Sequence, residues 1–206
     1  MGIQVLTFPS GPIETNGYLV LDGAGRALAI DAPGDVTATL VAAAAANTAT
    51  IEAIVITHPH WDHVQDAAAL QAATGAPILA HPGAAAKLAA PGSSMMRLPA
   101  PIAPVAIDRA LEEGSEVALG AERFDVWHLP GHEPSHIVLV HRGGTVVLGG
   151  DVLFPRGHGR VDLPDADPQA MRRSLVRMAA LPAETIVYSG HGVPTTIGAE
   201  SDWLPR

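Results

Sequence analysis

The 206-residue sequence predicts an α/β fold, and three features carry that expectation. Short segments of β-branched and aromatic residues recur along the whole chain. Stretches of helix composition lie between them, one alanine-rich at residues 35–47 and another at 168–180. Several strand-like segments run straight into histidine or aspartate, which places chemistry on loops anchored by rigid strands.

The first thirty residues hold strands at 3–8, 17–22 and 26–31, with Gly23 and Gly25 as a hairpin signal, and read as an antiparallel meander. Asp31 leaves the third strand before Ala32-Pro33-Gly34, where an acidic residue serves as an ordinary turn former. Residues 35–47, with Leu40 and Val41 among alanines, predict a helix with Asp35 near its start as cap or dipole partner. A buried strand at 51–56 breaks at Thr57 and Pro59 into a loop, followed by a helix over 62–74 and a short strand at 77–80. Residues 91–104, rich in Pro, Gly and Ser, predict a loop over one face, either a substrate lid or a plain connection. Strands at 116–119, 123–129, 136–142 and 145–149, a helix at 168–180 and a strand at 185–188 complete the chain.

Twelve basic against 21 acidic residues give a net charge of −9, which disfavours nucleic acid or an anionic membrane as partner. The chain has no cysteine, so it offers no disulfide, thiolate ligand or cysteine nucleophile. No run approaches the ~18 apolar residues of a membrane span. The amino terminus lacks a basic, then apolar, leader, and Leu6 stands where a myristoylation motif needs serine or threonine. A soluble cytoplasmic protein of one domain, 1–206, is the expectation.

Within residues 54–66, His58, His60, Asp62 and His63 place four potential metal ligands in six consecutive positions. In extended backbone, residues two apart point the same way, so His58 and His60 can serve one ion while Asp62 and His63 turn toward a neighbouring point. That geometry suggests two metals. Imidazole and carboxylate without thiolate suit zinc, manganese or iron rather than a structural zinc knuckle. The plainer reading is a polar loop whose histidines cap a helix, but ten histidines beside only 12 Lys and Arg call for a further explanation. His81, in Leu79-Ala80-His81-Pro82, has no ligand neighbour and reads as a surface or pocket-edge histidine.

The pattern His-x-His-x-Asp-His after an apolar strand resembles the metallo-β-lactamase superfamily, which implies a four-layer αββα sandwich with further ligands at later strand ends. Candidates follow in order: His132 in Pro-Gly-His132-Glu-Pro-Ser-His136, Asp151 after residues 146–150, and His191 in Ser-Gly-His191-Gly. The resemblance implies that His58, His60 and His132 hold one ion, that Asp62, His63 and His191 hold the other, and that Asp151 bridges them. Asp31 matches the aspartate that supports the metal loop from behind. His128, His136, His141 and His158 fall outside this set and are expected behind the ligands or in the core. Two divalent ions per chain are implied, zinc first, with iron or manganese as alternatives.

The segments Gly159-Arg160-Val161-Asp162-Leu163-Pro164 and Gly190-His191-Gly192-Val193-Pro194-Thr195 look like the glyoxalase II, or hydroxyacylglutathione hydrolase-like, branch, and the resemblance runs from about residue 16 to 200. It implies hydrolysis of a small acyl thioester such as S-2-hydroxyacylglutathione. The nucleophile would be a water shared by two ions, its pKa lowered toward ~7. Asp62 would orient that nucleophile and accept its proton. Typical members add a helical carboxy-terminal segment with basic residues that hold glutathione; the sequence as far as Arg206 shows none, so altered carrier recognition is expected. Gln65-Asp66 also replaces a glycine pair often seen after the cluster. The alternatives are a mono-iron persulfide dioxygenase, which shares the cluster and the Gly-Arg-x-Asp segment, and a lactone hydrolase. The Gly-His191-Gly segment favours the dinuclear hydrolase. A flavin-linked di-iron electron-transfer member would need a flavin domain that the sequence does not show.

Overall fold

The computed structural model describes residues 2–91 and 101–205. The first half runs β1 (Gln4–Ser10), β2 (Thr15–Leu21), β3 (Arg26–Ile30), α1 (Thr37–Ala46), β4 (Thr50–Val55), α2 (Trp61–Val64), α3 (Ala67–Thr74), β5 (Ile78–Ala80), α4 (Ala85–Ala89) and β6 (Arg109–Ala110). The second half runs β7 (Glu116–Leu119), β8 (Glu122–His128), β9 (Ile137–His141), β10 (Val146–Gly150), α5 (Pro168–Ala179), β11 (Ile186–Ser189) and β12 (Thr195–Thr196). One sheet takes the order β1-β2-β3-β4-β5-β6 and the other β12-β11-β10-β9-β8-β7. The expected meander is present, since β1, β2 and β3 pair antiparallel in sequence.

Side chains alternate across a strand, and that alternation decides the layering. Leu19 and Leu21 of β2 pack in one cluster with Leu40 and Ala44 of α1 and Leu70 of α3. Tyr18 and Val20 of the same strand point the other way and meet Phe124, Val126, Ile137 and Leu139 of the second sheet. On that sheet's far face, Val138, Val140, Val147 and Val187 pack against Met171, Leu175 and Met178 of α5. The result is a helix–sheet–sheet–helix sandwich of αββα type. Each fully buried Leu, Ile or Phe in these layers contributes about 1.5–3 kcal/mol by leaving water.

The helix expected over 62–74 is two helices, because tertiary hydrogen bonds divert its backbone. Ala32 N–H donates to His63 O at 2.8 Å, and Asp66 N–H donates to Ala32 O at 2.9 Å. The Asp66 carboxylate then accepts the Thr37 N–H and hydroxyl at 3.0 and 2.8 Å. Asp66, not Asp35, therefore serves the first turn of α1, while Asp35 sits in a left-handed turn at φ 65°. The short β6 and β12, two residues each, were not visible as a period in the sequence. Most of the loop at 91–104, and with it the lid expectation, lies outside the described residues. Among the described residues, no helix is long and apolar enough to cross a membrane.

Strands β3, β4 and β5 run parallel, as do β10 and β11, so within each sheet the ends of these strands open at one edge. Ile137 N–H donates to Thr57 O and Asn16 N–H to Gly190 O, at 2.9 and 2.8 Å, which stitches the two edges together.

Candidate metal centre

At that edge the loops bring together all seven expected ligands. Three groups have their donor atoms within 4.8 Å of one another: His58, His60 and His132; His58, His63 and Asp151; Asp62, His63 and His191. His58, Asp62, His63, His132 and Asp151 are buried, whereas His60 and His191 are half-buried and leave one side open to solvent.

Hydrogen bonds behind the rings set which nitrogen faces inward. Asp31 accepts the Thr57 N–H at 2.7 Å and the Thr57 hydroxyl at 2.8 Å, and its Oδ2 also accepts His63 Nδ1–H at 2.8 Å. A carboxylate only accepts, so His63 carries a proton on Nδ1 and turns Nε2 toward the cluster. Thr57 Oγ1, having given its proton to Asp31, accepts His58 Nδ1–H at 3.1 Å and leaves His58 Nε2 bare. His132 Nδ1–H donates to Arg160 O at 2.8 Å and frees its Nε2 in the same way.

His63 Nε2, His132 Nε2 and Asp151 Oδ1 are buried without a hydrogen-bond partner among the described residues, an uncommon state for buried polar atoms. Their spacing matches an ion. His132 Nε2 lies 3.3 Å from Asp151 Oδ2, His63 Nε2 3.4 Å from Asp151 Oδ1 and 3.3 Å from Asp62 Oδ2, and His191 Nε2 3.4 Å from Asp62 Oδ2. Ligands about 2.0–2.1 Å from a tetrahedral ion stand about 3.3–3.4 Å apart. His58 Nε2 and His60 Nδ1 face each other at 3.0 Å, a separation that needs a proton or a cation between them. The donor set therefore fits divalent ions, with the Asp151 carboxylate between the two triads. Gly190 makes room for it, since a Cβ there would stand 2.0 Å from Asp151 Oδ1.

Charge divides this cluster. Burial and the neighbouring imidazoles hold His58 well below the ordinary histidine range and push His60 down to about 3. Burial also works against a proton on His63, but Asp62, Asp151 and Asp31 outweigh it and raise His63 well above that range. His191 is raised despite its burial, through its hydrogen bond to Asp62 and the charge of Asp151. Burial would raise both aspartates, yet His63 and its neighbours bring Asp151 down to about 2 and hold Asp62 below the ordinary carboxylate range.

Residues 10–191 match the family profile described as the metallo-beta-lactamase superfamily. The chain belongs to this superfamily. It is 38% identical to the hydroxyacylglutathione hydrolase of Fuscovulum blasticum over 93% of its own length and 67% of that protein. The chain spans 60 to 67% of the length of the first curated hydroxyacylglutathione hydrolases it matches. Among solved structures it resembles the BLEG-1 B3 metallo-beta-lactamase, with a TM-score of 0.90 and 33% identity over 98% of both chains. It also resembles TTHA1623 in a di-iron-bound form, with a TM-score of 0.75 and 39% identity over 97% of this chain and 98% of that one.

The remaining histidines of this superfamily member stand apart from the cluster. His136 is fully buried, accepts the Asp151 N–H on Nε2 at 2.9 Å and stacks on His58 with ring centroids 4.7 Å apart. It thus steadies both a backbone and a ring that the cluster uses. His81 stacks on His128 at 4.3 Å, His141 meets Glu122 at 2.8 Å, and His158 Nδ1 lies 2.8 Å from Gly159 O. A separate surface cavity of about 430 Å³, bordered by Glu113, His128, Arg173 and Arg177, includes none of the seven.

Sequence reasoning missed several supports. Thr15 Oγ1–H donates to Asp62 Oδ2 at 2.7 Å, and the Asn16 amide holds Ser189 O and Gly192 O at 2.9 Å each. The Tyr18 hydroxyl donates to Ser189 O as well. Thr57 alone carried a signal, its place directly before His58. The others act from β2, Asn16 and Tyr18 across the sandwich and Thr15 within the first sheet's half, with no spacing to announce them.

Proposed function

We propose that this chain is a dinuclear metal-dependent hydrolase of acyl thioesters, similar to the hydroxyacylglutathione hydrolases it matches. The observation that carries the reading is one carboxylate, Asp151, 3.3 Å from His132 Nε2 of one triad and 3.4 Å from His63 Nε2 of the other, with both of those nitrogens unpartnered among the described residues. In this reading His58, His60 and His132 would hold one ion and Asp62, His63 and His191 the other, with Asp151 available to both. Zinc is the proposed ion, and the di-iron relative keeps iron as the alternative.

When bound, two such ions polarise a carbonyl and lower the pKa of water toward ~7, so hydroxide is available at neutral pH. The chain's own residues then orient the reaction. The half-buried edge formed by His60 and His191 is where an acyl group can enter. Asp62, kept ionised and accepting from Thr15, orients the attacking water through a hydrogen bond. Its depressed pKa makes it a weak proton acceptor, because an effective general base has a pKa near the working pH. Orientation and charge are therefore its proposed roles, rather than the proton acceptance that the resemblance alone implied.

The test is thiol release from S-lactoylglutathione, followed with a thiol-reactive dye that this cysteine-free chain does not consume. Release that stops with a chelator and returns with zinc supports the reading. No release from protein loaded with two ions overturns it. Oxygen uptake with glutathione persulfide, lactone opening and cleavage of a chromogenic β-lactam, run in parallel, would then reassign the activity. The convergence of His191 with Asp62 and His63 favours two ions over the single iron of a persulfide dioxygenase.

A further inference from the structure

Lys87 lies in α4, outside every motif described above. Its Nζ stands 2.8 Å from Glu133 Oε1 and 2.8 Å from Asp165 Oδ2. Glu133 follows His132 directly, is 1% exposed, and uses its other oxygen to accept the Ser135 N–H and hydroxyl at 2.6 Å each. Asp165 belongs to the segment whose Arg160 carbonyl accepts His132 Nδ1–H. That segment is seated tightly on the ligand, since a Cβ at Gly159 would stand 2.8 Å from His132 Cγ and 2.1 Å from Asp151 O.

Lys87 therefore ties the loop that carries His132 to the segment that orients its ring. A buried carboxylate needs a counter-ion, and that need alone would explain the bond to Glu133. It does not explain the second bond, because the Asp165 side chain is 61% exposed and requires no partner. The other triad is held by Asp31 behind His63 and Thr15 behind Asp62, while Thr57 joins Asp31 to His58 of the first.

We infer that Lys87 is a positioning residue that sets the affinity of the His58, His60 and His132 triad for its ion while leaving the other triad unaffected. The inference rests on the dinuclear reading proposed above. Zinc titration of the full chain against a chromophoric chelator tests it, and the wild-type protein must first bind two ions. Failure of that control overturns the dinuclear reading itself rather than the role of Lys87.

With the control met, Lys87→Met is expected to weaken one ion on the order of 10–100-fold, the usual cost of losing a partner behind a ligand, and to leave the other unchanged. In a His191→Ala background, which spares the three-imidazole triad, the remaining ion should weaken by the same factor. In a His60→Ala background it should not. Lys87→Arg should restore most of the affinity. Should Lys87→Met fail to fold because Glu133 is stranded, Lys87→Met with Glu133→Gln removes both charges and is expected to give the same selective loss. Asp165→Asn, which leaves Glu133 paired, is expected to weaken the same ion only about 2- to 5-fold, as befits a partly exposed pair. Equal weakening of both ions, or wild-type affinity for both in Lys87→Met or its double variant, would overturn the assignment.

Discussion

His58, His60 and His132 bring three imidazoles to one point, whereas Asp62, His63 and His191 mix imidazole with carboxylate a few ångströms away. Both triads draw on one loop, yet their electrostatics are opposite. In the first, burial and mutual proximity keep His58 and His60 neutral. In the second, carboxylates hold protons on His63 and His191. A cation is attracted by the same carboxylates, so the second triad offers the stronger field but must give up protons to use it. The difference teaches that donor identity alone does not describe such a centre; the charge behind each donor decides what competes with the ion.

The largest expected effect comes from removing charge from the second triad. Asp62→Asn should lower thiol release on the order of 10²-fold or more, the cost of misplacing the water it orients together with weakening an ion. Metal analysis should show the loss confined to one ion. If both ions leave, the triads are not independent and the comparison fails.

Asp31→Asn acts one step further back, where it alters the partner of His63 directly and reaches His58 only at one remove, through Thr57. Asparagine tolerates the φ of 58° at this position, so the fold should hold. We expect about 10–100-fold weaker binding of the second triad's ion, read by zinc titration. Set beside Lys87→Met, it should produce the mirror-image result.

Acidity should separate the triads without mutation. Imidazole must be neutral to bind a metal, and His63 and His191 titrate above the ordinary value of 6.5. Affinity at the second triad should therefore fall as pH drops through that raised range, roughly tenfold per pH unit for each proton displaced. The first triad should hold its ion with little change across the same range, since His60 titrates near 3. Titration calorimetry in buffers of differing ionisation enthalpy counts the protons released, and equal counts for both ions would contradict the division.

Thr15→Val gives the smallest expected change. It removes a hydroxyl donor from an Asp62 carboxylate that keeps its imidazole neighbours, a net loss of about 1 kcal/mol for a typical hydrogen bond. Thiol release should fall about tenfold or less with two ions retained, and loss of an ion would show that Thr15 holds the ligand rather than tuning it.

Much of this architecture was legible in residue order. Residues 17–22 read as a strand, and the structure adds that it is covered on both faces, Leu19 and Leu21 by the helix layer and Tyr18 and Val20 by the second sheet. The seven candidate ligands meet because each follows a strand end; spacing showed the cluster at 58–63, and the resemblance to the superfamily pointed to His132, Asp151 and His191. The unbroken helix over 62–74 was not correct, since Ala32 and Thr37 draw off its backbone and its Asp66 carboxylate from outside the segment. Asp35 looked like the cap of α1 by its position, and only the folded chain shows Asp66 doing that work.

Sequence by itself determined which side chains can share a point: the six-residue cluster, the later histidines and aspartate, and the period of the strands. Tertiary structure alone decided what stands behind them. Thr15 reaches Asp62 across 47 positions and Lys87 reaches Glu133 across 46, and contacts so distant in the chain leave no period or motif in residue order. They depend on how the loops at the strand ends fold against one another, and so does the division of charge between the triads.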